Sequence, residues 1–283
     1  MSNAIEMRHV TRTFPTFTLQ DISLALPTGC IMGLVGENGA GKSTTLRLIM
    51  NAIARDCGEI TVLGCDNRTQ EFRAVKDDIG VVLDEAYFPE VLNPRQVGEV
   101  MKRTYTRWDE QLYAGYIDRF GLPWKQQFKD FSRGMKMKLA IAVALSHDSK
   151  LLLLDEATSG LDPIIRDEIL DIFSEFTRDE SHSVLLSSHI VSDLEKLCDY
   201  VAFLHRGRLV LCEEKDALLD TYGILSCTRQ QLADLPEDAV LGSEASPYGV
   251  RALVQRDRVA NVFAVERANL EDIILFLVKG EEK

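Results

Sequence analysis

The 283-residue sequence has no apolar run near the ~20 residues that span a bilayer. Stretches such as residues 143–145 and 151–154 are far shorter, so the chain is not expected to cross a membrane by itself. Its first residues, MSNAIEMRHVTR, lack the apolar centre of a secretory signal, which predicts a cytoplasmic protein. The six cysteines (Cys30, Cys57, Cys65, Cys198, Cys212 and Cys227) form no CxxC pair and no metal-ligand spacing, which favours scattered reduced thiols. Basic residues are outnumbered: 32 Lys and Arg stand against 44 Asp and Glu, for a net charge of −12. No basic stripe is present to neutralise phosphates, so no nucleic-acid partner is expected. Repeats and low-complexity tracts are absent too. What remains, 46% apolar and 27% charged residues, is an ordinary globular composition with room for one large domain or one domain plus a smaller one.

Short β-rich segments alternate with helical ones. Residues 5–10, 22–26 and 31–35 read as strands, and a helix is expected over about 42–53. Between 94 and 150 the signal turns helical. Leu112, Tyr116 and Phe120 recur at four-residue spacing behind Asp109, a predicted N-cap. Strand signals return at 151–154, 183–186 and 200–204 with helices between them, the βαβ pattern of a parallel sheet. The expected organisation is an α/β core over 1–215 with a helical insertion at about 94–150. A small α+β appendix over 216–283 ends in an amphipathic segment at 270–278.

The stretch GENGAGKSTT, residues 36–45, follows a strand and opens a helix, the context that separates a true phosphate-binding loop from a chance match. Its glycines let backbone N–H groups turn onto phosphate oxygens, and the helix start adds a favourable dipole. The competing reading, a glycine-rich turn with a surface lysine, does not account for the full pattern with both flanks. Gly36, Asn38, Gly39, Ala40, Gly41, Lys42, Ser43 and Thr44 are therefore candidate nucleotide ligands. Lys42 would reach the outer phosphates and the Ser43 hydroxyl would bind Mg²⁺. Downstream, LLLLDEATSGLDP places Asp155 at the carboxyl end of a strand buried on both faces, where parallel sheets hold their ligands. Asp155 is a candidate metal ligand through water. Glu156, turned the other way by strand alternation, is the candidate general base.

Phosphate-binding loops with such carboxylates are shared by kinases, GTPases and motor ATPases. The class comes from FSRGMKMKLAIAVAL, residues 131–145, where Ser132-Arg133-Gly134-Met135 resembles the signature loop of ABC ATPases, with Phe131 in place of the usual leucine. Ser159-Gly160-Leu161-Asp162 is similar to that family's D-loop and His189 to its switch histidine, and the motifs stand in the family's order. The sequence by itself makes Ser132 an N-cap whose helix, 133–145, points a positive end outward. The resemblance implies that Ser132 and Gly134 serve ATP held by a second ATPase protomer, that Asp162 is a nucleotide-binding residue, and that His189 contacts the γ-phosphate. It also implies an adenine-stacking aromatic at Phe14, with Phe17 the competing position and plain core packing the alternative for either. Where the family carries glutamine, after IGVVL, this chain has Asp84 followed by Glu85. Asp84 is expected to ligate Mg²⁺ directly or through water.

The implied fold is a P-loop NTPase of ABC type: a parallel-sheet core, an N-terminal antiparallel β part and a helical subdomain. A solitary ATPase chain with a small appendix resembles the ATP-binding subunits of type-2 ABC exporters. The implied activity is ATP hydrolysis, with ATP and Mg²⁺ as cofactors, on the inner face of the cell membrane. Separate transmembrane permease subunits and a second ATPase protomer, identical or not, would be the partners. The alternative is a soluble ABC ATPase without a permease, such as a cluster-assembly type. A metabolic kinase or GTPase is disfavoured by residues 131–135.

Overall fold

The computed structural model describes residues 2–84, 88–247, 249–259 and 264–281. Two long strands, β1 (Asn3–Phe14) and β2 (Phe17–Pro27), form a hairpin, and β3 (Ile31–Gly36) leads through the glycine-rich loop into α1 (Lys42–Ile49). Then come β4 (Cys57–Val62), β5 (Cys65–Asp66), the short α2 (Phe72–Val75) and β6 (Ile79–Val82). The helical block holds α3 (Pro94–Thr104), α4 (Glu110–Arg119) and α5 (Arg133–Leu145). Alternation resumes with β7 (Leu151–Asp155), α6 (Pro163–Phe176), β8 (Ser183–Ser188), α7 (Val191–Leu197), β9 (Tyr200–His205) and β10 (Arg208–Glu214). The last part runs α8 (Lys215–Thr221), β11 (Tyr222–Cys227), α9 (Arg229–Ala233), β12 (Val240–Ser246), β13 (Gly249–Gln255), β14 (Val265–Arg267) and α10 (Leu270–Glu281).

The central sheet has the order β10-β9-β3-β8-β7-β6. β9, β3, β8, β7 and β6 run parallel, and β10 pairs antiparallel with β9. Its inner strands are buried along their length and largely apolar because both faces are covered, whereas the edge strand β10 carries Arg208, Glu213 and Glu214. Met32, Leu34, Leu151, Leu153 and Leu185 pack with Leu46, Leu48 and Ile49 of α1 and with the antiparallel sheet β2-β1-β4-β5. Ile31, Val35, Leu152, Leu154 and Leu186 pack on the other side with α5, α6 and α7. The strand order sets the functional end: β3 lies between β9 and β8, so its carboxyl-end loop lies beside those of β8 and β9.

Two local expectations need correction. The helix after the phosphate-binding loop stops at Ile49, short of residue 53, because Asn51 takes a left-handed φ of 49°. The amides of Asn51 and Ala52 then close onto the carbonyls of Leu48 and Arg47, a Schellman ending. In α4 the buried stripe is Tyr113, Ile117 and the following Phe120, while Leu112 is 41% exposed. A one-residue offset turns a side chain by about 100° around a helix. Tyr113 holds the inner place by donating its hydroxyl to the Pro94 carbonyl (2.8 Å) and packing its ring against Trp108. The Asp109 cap forms as expected, accepting from the Leu112 amide at 2.8 Å.

The third sheet, β12-β13-β11-β14, is antiparallel. It is not packed apart from the rest. Leu253, Leu270, Ile273 and Phe276 belong to the same apolar core as Leu194 and Cys198 at α7, and α10 lies against α7.

Candidate functional site

Between β3 and α1 the chain has to turn sharply and still leave backbone amides facing outward. Gly41 makes this possible with φ 114°, and a Cβ there would come within 2.7 Å of Leu19 Cδ1. The loop is held from behind by the turn joining β9 and β10. The Gly207 amide donates to the Ala40 carbonyl (3.2 Å), and the Gly207 carbonyl accepts from Gln20 N–H (2.7 Å). α1 has Gly41 at its N-cap, no side-chain cap and no acidic residue in its first turn. The first amides of a helix have no intrahelical acceptor, so this start is an uncompensated positive end.

That end opens into a cleft of about 510 Å³ lined by Thr16, Phe17, the loop from Glu37 to Thr44 apart from Ala40, Asp84 and Glu156. Asn38, Gly39, Gly41, Lys42, Ser43 and Thr44 face it as expected. Gly36 and Ala40 do not line it: both are turned toward the protein, Gly36 against the Leu204 carbonyl and Ala40 onto Gly207. Lys42 is only 6% exposed. Its Nζ donates to the Gly36 carbonyl at 2.7 Å and lies 3.3 Å from Glu156 Oε1.

Register sets both carboxylates at the carboxyl end of β7, where Glu156 lines the cleft and Asp155, buried, does not. Asp155 pairs with Ser187 across β7 and β8, and the Ser187 hydroxyl donates to Asp155 Oδ1 at 2.6 Å. Glu156 does not continue the strand alternation. It takes a left-handed φ of 51°, rare for a residue with a side chain, while its amide donates to the Ser187 carbonyl at 3.1 Å. The backbone twist aims its carboxylate into the cleft, with Lys42 on Oε1 and His189 Nδ1 at 2.7 Å from Oε2. An ionised carboxylate only accepts, so Nδ1 carries the proton and Nε2 is the nitrogen left to receive one. Oε1 itself is buried with no hydrogen-bond partner, the Lys42 contact being an ion pair alone.

The remaining predicted residues lie away from this centre or are engaged locally. Ser132 caps α5, its Oγ accepting from the Met135 amide at 3.3 Å, and Gly134 has Leu161 and Ile165 beside it. Neither lines the cleft. Asp162 caps α6, accepting from the Ile164 and Ile165 amides. Asp84 reaches away from the loop to Arg133 (3.0 Å), and the Arg133 guanidinium also lies over Gly160. Glu85 lies outside the described residues. Phe17 lines the cleft; Phe14 stacks on Phe17 at 6.4 Å with the Arg12 guanidinium over its ring. Sequence reading missed Ser187, whose place in the hydroxyl pair ahead of His189 was the available signal. Thr158, Arg166 and Asp193 were missed as well, and nothing local marks them.

The donors fit a magnesium nucleotide. Among the described residues no three His, Cys, Asp or Glu side chains form a metal cage. Mg²⁺ needs none, since one or two protein oxygens and substrate phosphates satisfy it. The Ser43 hydroxyl and the carboxylates of Asp84 and Asp155 are hard oxygen donors of that kind. The uncapped start of α1, Lys42 and the orphaned Glu156 Oε1 all call for partners that a polyphosphate and its attendant water would supply.

Comparison with known proteins agrees with this chemistry. The ABC transporter family profile matches residues 19–159. YhcH of Bacillus subtilis, described as an uncharacterized ABC transporter ATP-binding protein, is 32% identical over 217 residues, spanning 74% of this chain and 70% of its own length. The lantibiotic transport ATP-binding protein SrtF of Streptococcus pyogenes is 33% identical over 202 residues, spanning 70% and 85%. A solved structure of an ATP binding subunit of an ABC transporter superposes with a TM-score of 0.69 at 24% identity, over 81% of this chain and 93% of that one.

Proposed function

The chain belongs to the ABC transporter ATP-binding family, and from that premise we propose that it hydrolyses Mg-ATP in the α1 cleft to power a separate membrane permease. The observation that carries this reading is the convergence of the uncapped α1 start, Lys42 and the Lys42–Glu156–His189 arrangement on one cleft. Lys42 and the α1 amides bind the phosphates. When Lys42 turns to them, Glu156 keeps a buried carboxylate positioned to take a proton from the attacking water. His189, which holds the carboxylate through Nδ1 beforehand, turns toward the terminal phosphate and leaves Glu156 to the water. Ser43, Asp155 and Asp84 would hold Mg²⁺, which neutralises phosphate charge when bound. Phe17, with Phe14 stacked behind it, is the aromatic for the adenine.

Ser132, Gly134 and Asp162 lie outside their own cleft, which supports a role toward the nucleotide of a second ATPase protomer. ATP would then hold two chains together and its hydrolysis would release them. We read residues 1–215 as the ATPase unit and 216–283 as an accessory part. Among the described residues no helix is long and apolar enough to cross a membrane. Of the large apolar side chains that stand exposed, Leu83, Val91, Val100 and Leu112 belong in sequence to the helical block or the segment just before it. Exposed apolar side chains there fit a membrane partner, and with it a place on the inner membrane face. Export is our reading of direction, supported by the resemblance to type-2 exporter subunits.

The test is twofold. The purified chain should release phosphate from ATP only with Mg²⁺, and it should co-purify from detergent-solubilised membranes with a polytopic protein that raises its turnover. Absence of Mg²⁺-dependent hydrolysis would overturn the ATPase reading. Stoichiometric association with soluble proteins alone would replace the transporter by a cluster-assembly type of ATPase.

A further inference from the structure

Two loops carry the reacting pair: the β7–α6 loop holds Glu156 and the β8–α7 loop holds His189. They are joined at the mouth of the cleft by the Glu156–His189 hydrogen bond. A second link lies lower down, where the buried Thr158 hydroxyl of the first loop donates at 2.8 Å to Oδ2 of Asp193 in the first turn of α7, the helix that follows the second loop. The other Asp193 oxygen receives Arg166 Nε of α6 at 3.0 Å, with the Asp193 side chain 2% exposed. Burial pushes the Asp193 carboxyl above its ordinary range, with Thr158, Arg166, Lys196 and His189 pulling it back.

The two joints differ in what hydrolysis asks of them. Lys42 and His189 occupy Glu156 in this structure, and both have to turn toward phosphate for Glu156 to accept a proton from water. The mouth joint therefore opens in the reactive state. The Thr158–Asp193 joint touches no group that the reaction uses and can persist. We propose that Thr158 and Asp193, braced by Arg166, are positioning residues that keep the Glu156 and His189 loops in register once the mouth joint has opened. The inference rests on the ATPase reading and adds residues to that same site. Hydrogen-bonded, desolvated and isolated from solvent, the joint is of the kind whose loss is costly. A displacement of about 1 Å in a reacting group is enough to cost about 10²-fold in rate.

Thr158→Val keeps the side-chain shape and deletes the hydroxyl, and Thr158→Ser keeps the hydroxyl. Thr158→Val is expected to lower kcat by about 10- to 100-fold with KM for ATP within about twofold of wild type. Thr158→Ser should stay close to wild type. Asp193→Ala should match Thr158→Val, and the double variant should be no slower than the slower single one. Asp193→Ala carries the test by itself if Thr158→Val fails to fold. Amide exchange without nucleotide gives a readout independent of hydrolysis: residues 156–162 and 188–194 should exchange faster in Thr158→Val, with β3 and α1 unchanged. Folded Thr158→Val protein with unaltered kcat would overturn the proposal, as would a Thr158→Ser loss equal to that of Thr158→Val. A wild-type chain that never hydrolyses ATP, but shows the exchange change, would remove the ATPase reading and leave the joint in place.

Discussion

The starts of α1 and α5 are both preceded by a small polar or glycine residue, and both point a positive helix end outward, yet they are finished differently. α1 is left uncapped, with Gly41 twisted to φ 114° and no side chain on its amides. α5 is closed by its own Ser132 hydroxyl. An uncapped start has to find its acceptors outside the chain, whereas the capped one has one amide already met and offers a ligand its remaining first amides, a hydroxyl proton and a weaker dipole. The primary phosphate site can therefore work within one protomer. In the proposed dimer the α5 end would add to a site that already exists, which is the role expected of a second protomer's contribution.

The largest expected effect is in the cleft at the open α1 start. Glu156→Gln should reduce kcat by about 10²–10⁴-fold while ATP binding, read by equilibrium dialysis, is kept or tightened. Next, Gly41→Ala should damage the open start itself, through a strained left-handed residue and contact with Leu19, at about 1–3 kcal/mol in urea unfolding. Loss of ATP binding should accompany it. Ser132→Ala should cost about 1 kcal/mol of stability for the missing cap. ATP binding to the single chain should be untouched and ATP-dependent pairing, followed by light scattering, should weaken. Equal loss of single-chain binding in Ser132→Ala and Gly41→Ala would erase the distinction between the two starts. The smallest effect is at the half-exposed Asp84–Arg133 pair. A double-mutant cycle with Asp84→Asn and Arg133→Gln should give a coupling of about 0.2–1 kcal/mol that fades with salt.

Legibility in the sequence follows the range of the forces. The helix 133–145 was readable to the residue because Ser132, its cap, is adjacent to it. The four leucines of β7 announced a strand covered on both faces, and the spacing from Gly36 to Ser43 announced the cleft. Where one residue decides between two faces, as at Leu112 and Tyr113, periodicity misplaced the stripe, because a single tyrosine hydroxyl and the rings around it fixed the rotation. The left-handed turn at Glu156 was hidden for a similar reason. It is held by Ser187, which lies 31 residues along the chain but one strand away. Thr158, Arg166 and Asp193 meet only after α6 and α7 have docked, and no local pattern encodes that meeting. Nor does any short-range signal show that Phe276 of α10 shares a core with Leu194 of α7.

The turn at Gly207 has a consequence for timing. It grips Ala40 from behind and is itself gripped by Gln20, so the cradle has its backbone anchored to the β9–β10 turn and through it to β2. Nucleotide entering such a cradle meets a surface that is already shaped, and leaving it requires no refolding of the loop. Arrival and departure at that side are then governed by diffusion and charge. In the proposed cycle the clock sits elsewhere, in the parting of Glu156 from Lys42 and His189 and in the meeting of two chains.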